Sequence, residues 1–258
     1  MSSLVIWIGA LPWMLAAAFV AWCVATVRRN TGLVDIFWSL FLLVAALYYL
    51  QCVSDPGARA LLVVTLVALW ALRLAVYLAL RNWNAPEDRR YQAIRARNQP
   101  GYVWKSLYLV FGLQAVLAVV VAAPLQAAIT RAGALGMLDV AGAGVVLAGI
   151  VIESLADAQL AAFRAEVGNR GRVMDRGLWR YSRHPNYFGE FCVWWGFFLL
   201  ALATGAWWTL VSPLLMSVLL LRVSGVTLLE KDIGERRPGY AQYVARTNAF
   251  LPGPRKPA

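Results

Sequence analysis

"RYSRHPNYFGEFCVWWGFFLLALATG", residues Arg180–Gly205, decides how this chain is read. Its second half is apolar over the length that crosses a bilayer as a helix, and its first half sets Arg180, Arg183 and the chain's only histidine, His184, just before that helix. Pro185 suits a first helical position, where its missing N–H is no loss, so His184 is the approximate cap. Cations at a helix N-terminus oppose the macrodipole, whereas an anion there is favoured. Their gathering makes physical sense with a phosphate bound between them. Asn186 and Glu190, spaced i and i+4, share one face, and Gly189 between them permits close approach. The blander reading, in which the arginines set topology and meet lipid headgroups while His184 only caps, stays open here.

Working outward, 61% of the 258 residues are hydrophobic and 14% charged, which no ordinary soluble domain shows. Seven windows of about 20 apolar residues predict spans over Val5–Val27, Leu33–Val53, Ala60–Leu80, Ser106–Leu125, Met137–Asp157, Tyr187–Thr204 and Trp207–Thr227. Gly205 leaves no room for a loop between the last two, which should form a hairpin. Arginines and lysines crowd the connections after the first, third, fifth and seventh spans; the others hold only Arg59 and Arg131. The positive-inside rule then gives an all-α integral membrane protein, a bundle of about seven transmembrane helices with the N-terminus outside and the C-terminus cytoplasmic. It is one polytopic domain, 1–258, with cytoplasmic loops at about 81–105 and 158–185 and a tail from 228, in a membrane expected to be the bacterial inner membrane. The terminal "PGPRKPA" reads as disordered.

Much of the net charge of +11 is therefore topological, and a nucleic-acid partner is not indicated. The excess leaves room for an anionic ligand or lipid. Cys23, Cys52 and Cys192 are isolated, which suggests neither a zinc site nor a disulfide framework. No Walker loop, GxSxG or HExxH occurs. "GAGVVLAG" from Gly142 lacks the third glycine of a dinucleotide turn, lies inside a span, and reads as a close helix–helix contact.

Chemistry must then come from helix ends and intramembrane polar groups, each costly enough to need a reason. Asp35 lies among apolar neighbours near the start of the second span. It is a helix-start carboxylate, a partner for Arg73, or a carboxyl facing a cavity and kept protonated to donate a hydrogen bond. Glu153, Asp157 and Arg164 fall on one stripe of the fifth span, and two acids at i and i+4 repel unless something donates to both. A ligand rich in hydroxyls and amides would do so; a polar seam between helices is the alternative. "RNWNAPEDRRYQAIR", with Arg81, Arg89, Arg90 and Tyr91, and the segment holding Tyr240 and Tyr243 read as basic amphipathic cytoplasmic stretches.

"GLWRYSRHPNYFGEFCVWWG", with "ESLADAQLAAFR" before it and "RRPGYAQYVARTNAFLP" after it, resembles the bacterial branch of the steroid 5α-reductase family, and "VDIFWSL" and "EDRRY" fit the same branch. The resemblance covers nearly the whole chain. It implies a seven-helix enzyme that binds NADPH from the cytoplasmic side and reduces the double bond of a 3-oxo-Δ4-steroid or similar lipid enone, with no requirement for an oligomer. It carries the cofactor contacts onto Tyr77, Glu153, Asp157, Arg164, Arg172, Asn186 and Glu190. With them stand the neighbouring Arg81, Arg89, Arg90, Tyr91, Arg180, Arg183, His184, Tyr187, Tyr240 and Tyr243. Asp35 stands where the vertebrate enzymes have a Glu preceded by Gln; here Val34 precedes it, and Trp70 stands where a Tyr is expected. The catalytic donor is then Asp35, with Trp38, Trp70 and Arg73 beside the substrate. A membrane methyltransferase using S-adenosylmethionine, of the isoprenylcysteine carboxyl methyltransferase type, shares the C-terminal motif and is the second reading; a lipid carrier is the third.

Overall fold

The computed structural model describes residues 2–223 and 239–256, and every regular element among them is helical. The expected end of the last span at Thr227, and Lys231, Arg236 and Arg237, lie outside the described residues. The helices are α1 (Ser3–Gly9), α2 (Leu11–Val27), α3 (Val34–Gln51), α4 (Ala58–Asn82), α5 (Arg89–Arg97), α6 (Tyr102–Ser106), α7 (Leu113–Val121), α8 (Ala123–Thr130), α9 (Met137–Ala165), α10 (Pro185–Leu202), α11 (Val211–Val218) and α12 (Tyr240–Arg246). A π-helical segment, Leu107–Gly112, joins α6 to α7 without a break.

Five stretches are long and apolar enough to cross a membrane: Ser3–Val27, Thr31–Gln51, Ala58–Asn82, Tyr102–Val121 and Met137–Ala165. They coincide with the first five expected spans, with one difference. The fourth ends at Val121 and α8 starts afresh at Ala123, because Pro124 cannot donate the hydrogen bond that would continue the helix. The sixth expected span is helical as α10, whose first turns are diluted by Asn186, Gly189 and Glu190. The seventh begins as a shorter apolar helix, Trp207–Arg222. Between them the chain turns at Gly205, which takes φ of 78° in the left-handed region that glycine enters freely. Large apolar side chains such as Val27, Leu80 and Met137 are exposed on these helices, as suits surfaces that meet lipid.

The chain divides into two compact units, Met1–Asp139 with Leu200–Ser212, and Val140–Leu199 with Pro213–Ala258. In the first, α3 packs along α4, with Ser39 Oγ donating to the Ala71 carbonyl (3.0 Å) and Trp70, Tyr49 and Phe41 fully buried. Arg59 does not face solvent as a loop charge. Its Nε and Nη2 hold Asp139 at 2.6 and 3.0 Å, and Gly136 N–H also donates to that carboxylate. Removing one member of such a buried pair typically costs about 3–5 kcal/mol, since the other is left desolvated and alone. The end of α2 is also unusual. Arg29 N–H donates to Thr26 O and Asn30 N–H to Ala25 O, the two bonds of a Schellman cap, and Arg29 occupies the left-handed position with φ of 53°. Glycine normally fills that place, because any other L-residue pays roughly 1–2 kcal/mol there.

In the second unit α9 and α10 touch backbone to backbone. A Cβ on Gly189 would lie 2.7 Å from both Glu153 N and Gly149 O, and one on Gly196 would lie 2.8 Å from Gly142 O. The "GAGVVLAG" stretch is thus a helix–helix contact, as its small residues imply. Beneath the ends of these helices, Ala156, Leu160, Phe163, Met174 and Trp179 form a core, tied by Trp179 Nε1 donating to Ala156 O at 2.9 Å.

Gly189→Ala should lower the thermal midpoint in detergent by an amount equivalent to about 1–3 kcal/mol, the usual penalty for overpacking. Gly144→Ala, whose Cβ meets nothing within 4 Å, should leave it unchanged. Equal behaviour of the two variants would contradict the contact.

Candidate functional site

In the second unit the acids named by the sequence are buried: Glu153, Asp157 and Glu190 are 4%, 3% and 6% exposed. The close helix contact brings Asn186 at the start of α10 to Asp157 on α9, its Nδ2 donating to Oδ1 at 3.4 Å. Trp194 Nε1 donates to Glu190 Oε1 at 3.0 Å, one turn along the same helix. Helix α10 begins at Pro185 as expected; the His184 ring stacks on Tyr187 with centroids 5.6 Å apart, and the His184 backbone N–H donates to Ser182 Oγ. Arg183 is placed differently from the phosphate cluster its spacing suggests. Its Nη1 donates to Thr247 O (2.7 Å) and Val244 O (3.2 Å), so it holds the end of α12, where a cation complements the helix dipole. Arg164 and Arg180 are exposed.

A cavity of about 250 Å³ lies in the same unit, lined by Arg172, Asp175, Gln242, Tyr243, Arg246 and Arg255. Tyr243 Oη donates to Trp179 O, and burial with Tyr240 close by pushes its phenol above the usual range, so it stays protonated. Residues 253–256, expected to be disordered, are bound here. Arg255 Nη2 pairs with Asp175 Oδ2 at 2.7 Å, Lys256 N–H donates to Arg246 O, and Gly253 N–H to Tyr181 O. The reason is a partner 80 residues away that the tail's own composition does not reveal. Arg255 Nε is buried without an acceptor among the described residues, and its side chain lines the cavity together with Arg172 and Arg246. A phosphate oxygen fits that donor set.

The first unit carries the other group. Asp35, in the first turn of α3, accepts from Tyr91 Oη at 2.5 Å and from Arg90 Nη2 at 3.0 Å. Its partner is thus Arg90, whereas the Arg73 guanidinium lies 5.6 Å from the ring centroid of Tyr77, with Arg81 over the same ring at 5.4 Å. Trp38 is half-buried one turn along α3, Trp70 is fully buried on α4, and Arg89 is exposed. Burial and the adjacent Asp35 carboxylate push the Tyr91 phenol well above its usual value of 10, which keeps its proton on. Burial lowers the Arg90 pKa, but the Asp35 carboxylate, with Tyr91 and Asp88, outweighs it and raises it overall. Gln114, a lone amide in an apolar span, stands 3.5 Å from Tyr91 Oη, and its Oε1 is buried without a donor among the described residues. Of the expected cofactor contacts, Tyr77, Arg81, Arg89, Arg90 and Tyr91 therefore belong to the first unit and the rest to the second.

A family model described as a protein of unknown function, DUF1295, matches residues 21–247. The chain belongs to this family. The family includes steroid 5α-reductase-like membrane proteins. The uncharacterized protein C594.04c of Schizosaccharomyces pombe is 25% identical over 264 residues, covering 90% of this chain and 76% of its own length. No solved structure matches the chain.

Sequence reasoning passed over Gln114, Asp175, Gln242, Arg246 and Arg255 as site residues. Gln114 carried a usable signal, an amide inside a span; Asp175 and Arg255 carried none, since each is a loop charge beside another, Arg176 and Lys256, with nothing local to mark a distant partner. It also passed over what holds α5 in place. Glu87 takes Arg95 in a two-point pair (2.9 and 2.8 Å) and accepts from Thr31 N–H (2.7 Å), at the foot of α3. Burial disfavours the Glu87 carboxylate, yet those bonds from Arg95 and Thr31 outweigh it and hold its pKa below its usual 4.5. The stability it contributes is complete above about pH 4.5 and is lost as pH falls through the lower folded value. Glu87→Gln should therefore unfold at lower temperature than the native chain at pH 7, with the gap closing below pH 4.5 in a pH series of melts. A gap that persists unchanged would show that charge is not the cause.

Proposed function

We propose that the protein is a membrane-embedded NADPH-dependent reductase acting on the carbon–carbon double bond of a 3-oxo-Δ4-steroid or similar lipid enone. The observation that carries the reading is the Asp35–Tyr91–Arg90 group, a protonated phenol held against a part-buried carboxylate in the first turn of a span. Membership of a family that includes steroid reductase-like proteins supports it. The finer topology belongs to the same proposal: seven crossings, with α10 and the Trp207–Arg222 helix as the last two, the N-terminus outside and the cofactor side facing the cytoplasm, in a bacterial inner membrane.

The cofactor supplies hydride. On the second unit, Arg172, Arg246 and the free Nε–H of Arg255 would take its phosphates, while Asp157 with Asn186, Glu153 and Glu190 offer acceptors and donors to its hydroxyl and amide groups. Reduction of an enone leaves negative charge on the carbonyl oxygen and requires one proton at the α-carbon. The single Tyr91 O–H, held by Asp35 in the free protein, would turn to that oxygen as charge develops on it, and the proton taken by the α-carbon would come from solvent, one for each hydride transferred. Arg90 balances the carboxylate, and Trp38 and Trp70 keep the surroundings apolar.

Enone-dependent NADPH oxidation by the purified protein tests this. Tyr91→Phe and Asp35→Leu should each lower turnover by about 100-fold or more, the usual worth of a transition-state donor, with little change in the apparent NADPH constant. Asp35→Asn keeps an acceptor and should retain part of the activity. Arg246→Gln should instead raise the apparent NADPH constant by about tenfold, the loss of roughly one charge-assisted contact. Absence of oxidation with steroid, sterol and fatty enones alike would contradict the reductase, and normal turnover by Tyr91→Phe would remove the donor assignment.

A further inference from the structure

A second cavity, of about 340 Å³, lies within the first unit between the end of α2 and the start of the Tyr102–Val121 helix. Ala25, Val103 and Phe111 give it apolar wall, Ser106 a hydroxyl, and Arg29 and Arg95 two guanidinium groups. None of these residues belongs to the reductase group proposed above. Arg95 is already matched by Glu87 at 2.8 Å and lies 4.7 Å over the Tyr102 ring. Arg29 makes no side-chain hydrogen bond or ion pair among the described residues, so the cavity carries one unmatched positive charge.

Arg29 is also the residue that closes α2 in the left-handed conformation, where glycine costs less. Its backbone gains nothing from being arginine; beyond its share in the positive charge that follows the first span, its side chain lines this cavity. Around it the chemistry is that of a membrane interface. Trp22 donates from Nε1 to Val103 O at 2.9 Å and stacks near Trp104, and Trp104 and Tyr108 are themselves largely exposed. Apolar wall beside a single free cation, at helix ends, is complementary to one negative charge carried on an acyl chain.

We propose that this cavity binds the head of an anionic amphiphile, a phosphodiester or carboxylate with its acyl chain along Ala25, Val103 and Phe111, and with Arg29 as the counter-ion. The ligand is a phospholipid of the surrounding leaflet or a free fatty acid; both present the same chemistry.

Thermal unfolding of the full chain in a neutral detergent, with added phosphatidylglycerol, phosphatidylcholine, oleate, oleyl alcohol or inorganic phosphate, tests the proposal. Phosphatidylglycerol or oleate should raise the midpoint by about 4 °C or more beyond its uncharged or zwitterionic counterpart, since a ligand of the folded state stabilises by mass action. The arm that responds identifies the source. Arg29→Gln should lose the shift and Arg29→Lys should keep most of it. Arg29→Gly relieves the left-handed residue, so its midpoint without lipid should stay level or rise while the shift disappears, which separates binding from folding. An anion-selective shift of equal size in Arg29→Gly, no selective shift at all, or the same shift with inorganic phosphate alone would each overturn it.

Discussion

The contact that the second unit depends on is the bare meeting of two helix backbones at Gly149 and Gly189. In lipid no hydrophobic force draws apolar helices together, so association rests on packing, and only residues without a side chain let two backbones come this close. That approach is what brings Asn186 to Asp157 and encloses three carboxyl groups. A methyl group at either glycine would push the helices apart and admit lipid or water between the groups whose chemistry matters.

The first unit solves the opposite problem, holding a charged helix from outside the spans against a carboxyl group at a span's end. Helix α5 is too short to be stable alone, at 9 residues. Asp88 caps it through the Arg90 N–H, Glu87 anchors it to Thr31 and Arg95, and the result is that Arg90 and Tyr91 both reach Asp35. A phenol kept protonated beside a carboxylate is poised to donate where negative charge develops, the requirement of enone reduction.

The helical class and the first five spans were legible because a bilayer imposes a long apolar run that few other structures need. The start of α10 at Pro185 and the close helix contact at the glycines were legible too, since each follows from local sequence, whereas the pairing of Asn186 with Asp157 joins two helices and was not. What was not legible depends on partners far apart in the chain. Asp35 offered Arg73 as a partner by proximity of neighbouring spans, yet Arg90 takes it. Arg183 looked like a phosphate ligand and instead holds α12, while Arg255, in a stretch whose composition reads as disorder, pairs with Asp175 and completes the basic cavity. Long arginine side chains with several donors can choose among partners that spacing alone does not rank.

The central claim is that the second unit binds a phosphorylated dinucleotide. Equilibrium binding measured by the shift in thermal midpoint with NADPH, NADP⁺, NADH and S-adenosylmethionine tests it most directly. The account predicts a concentration-dependent rise with NADPH and NADP⁺ that is reduced in Arg246→Gln and unaffected in Tyr91→Phe. A rise with S-adenosylmethionine and none with either phosphorylated nucleotide would contradict it and favour methyl transfer.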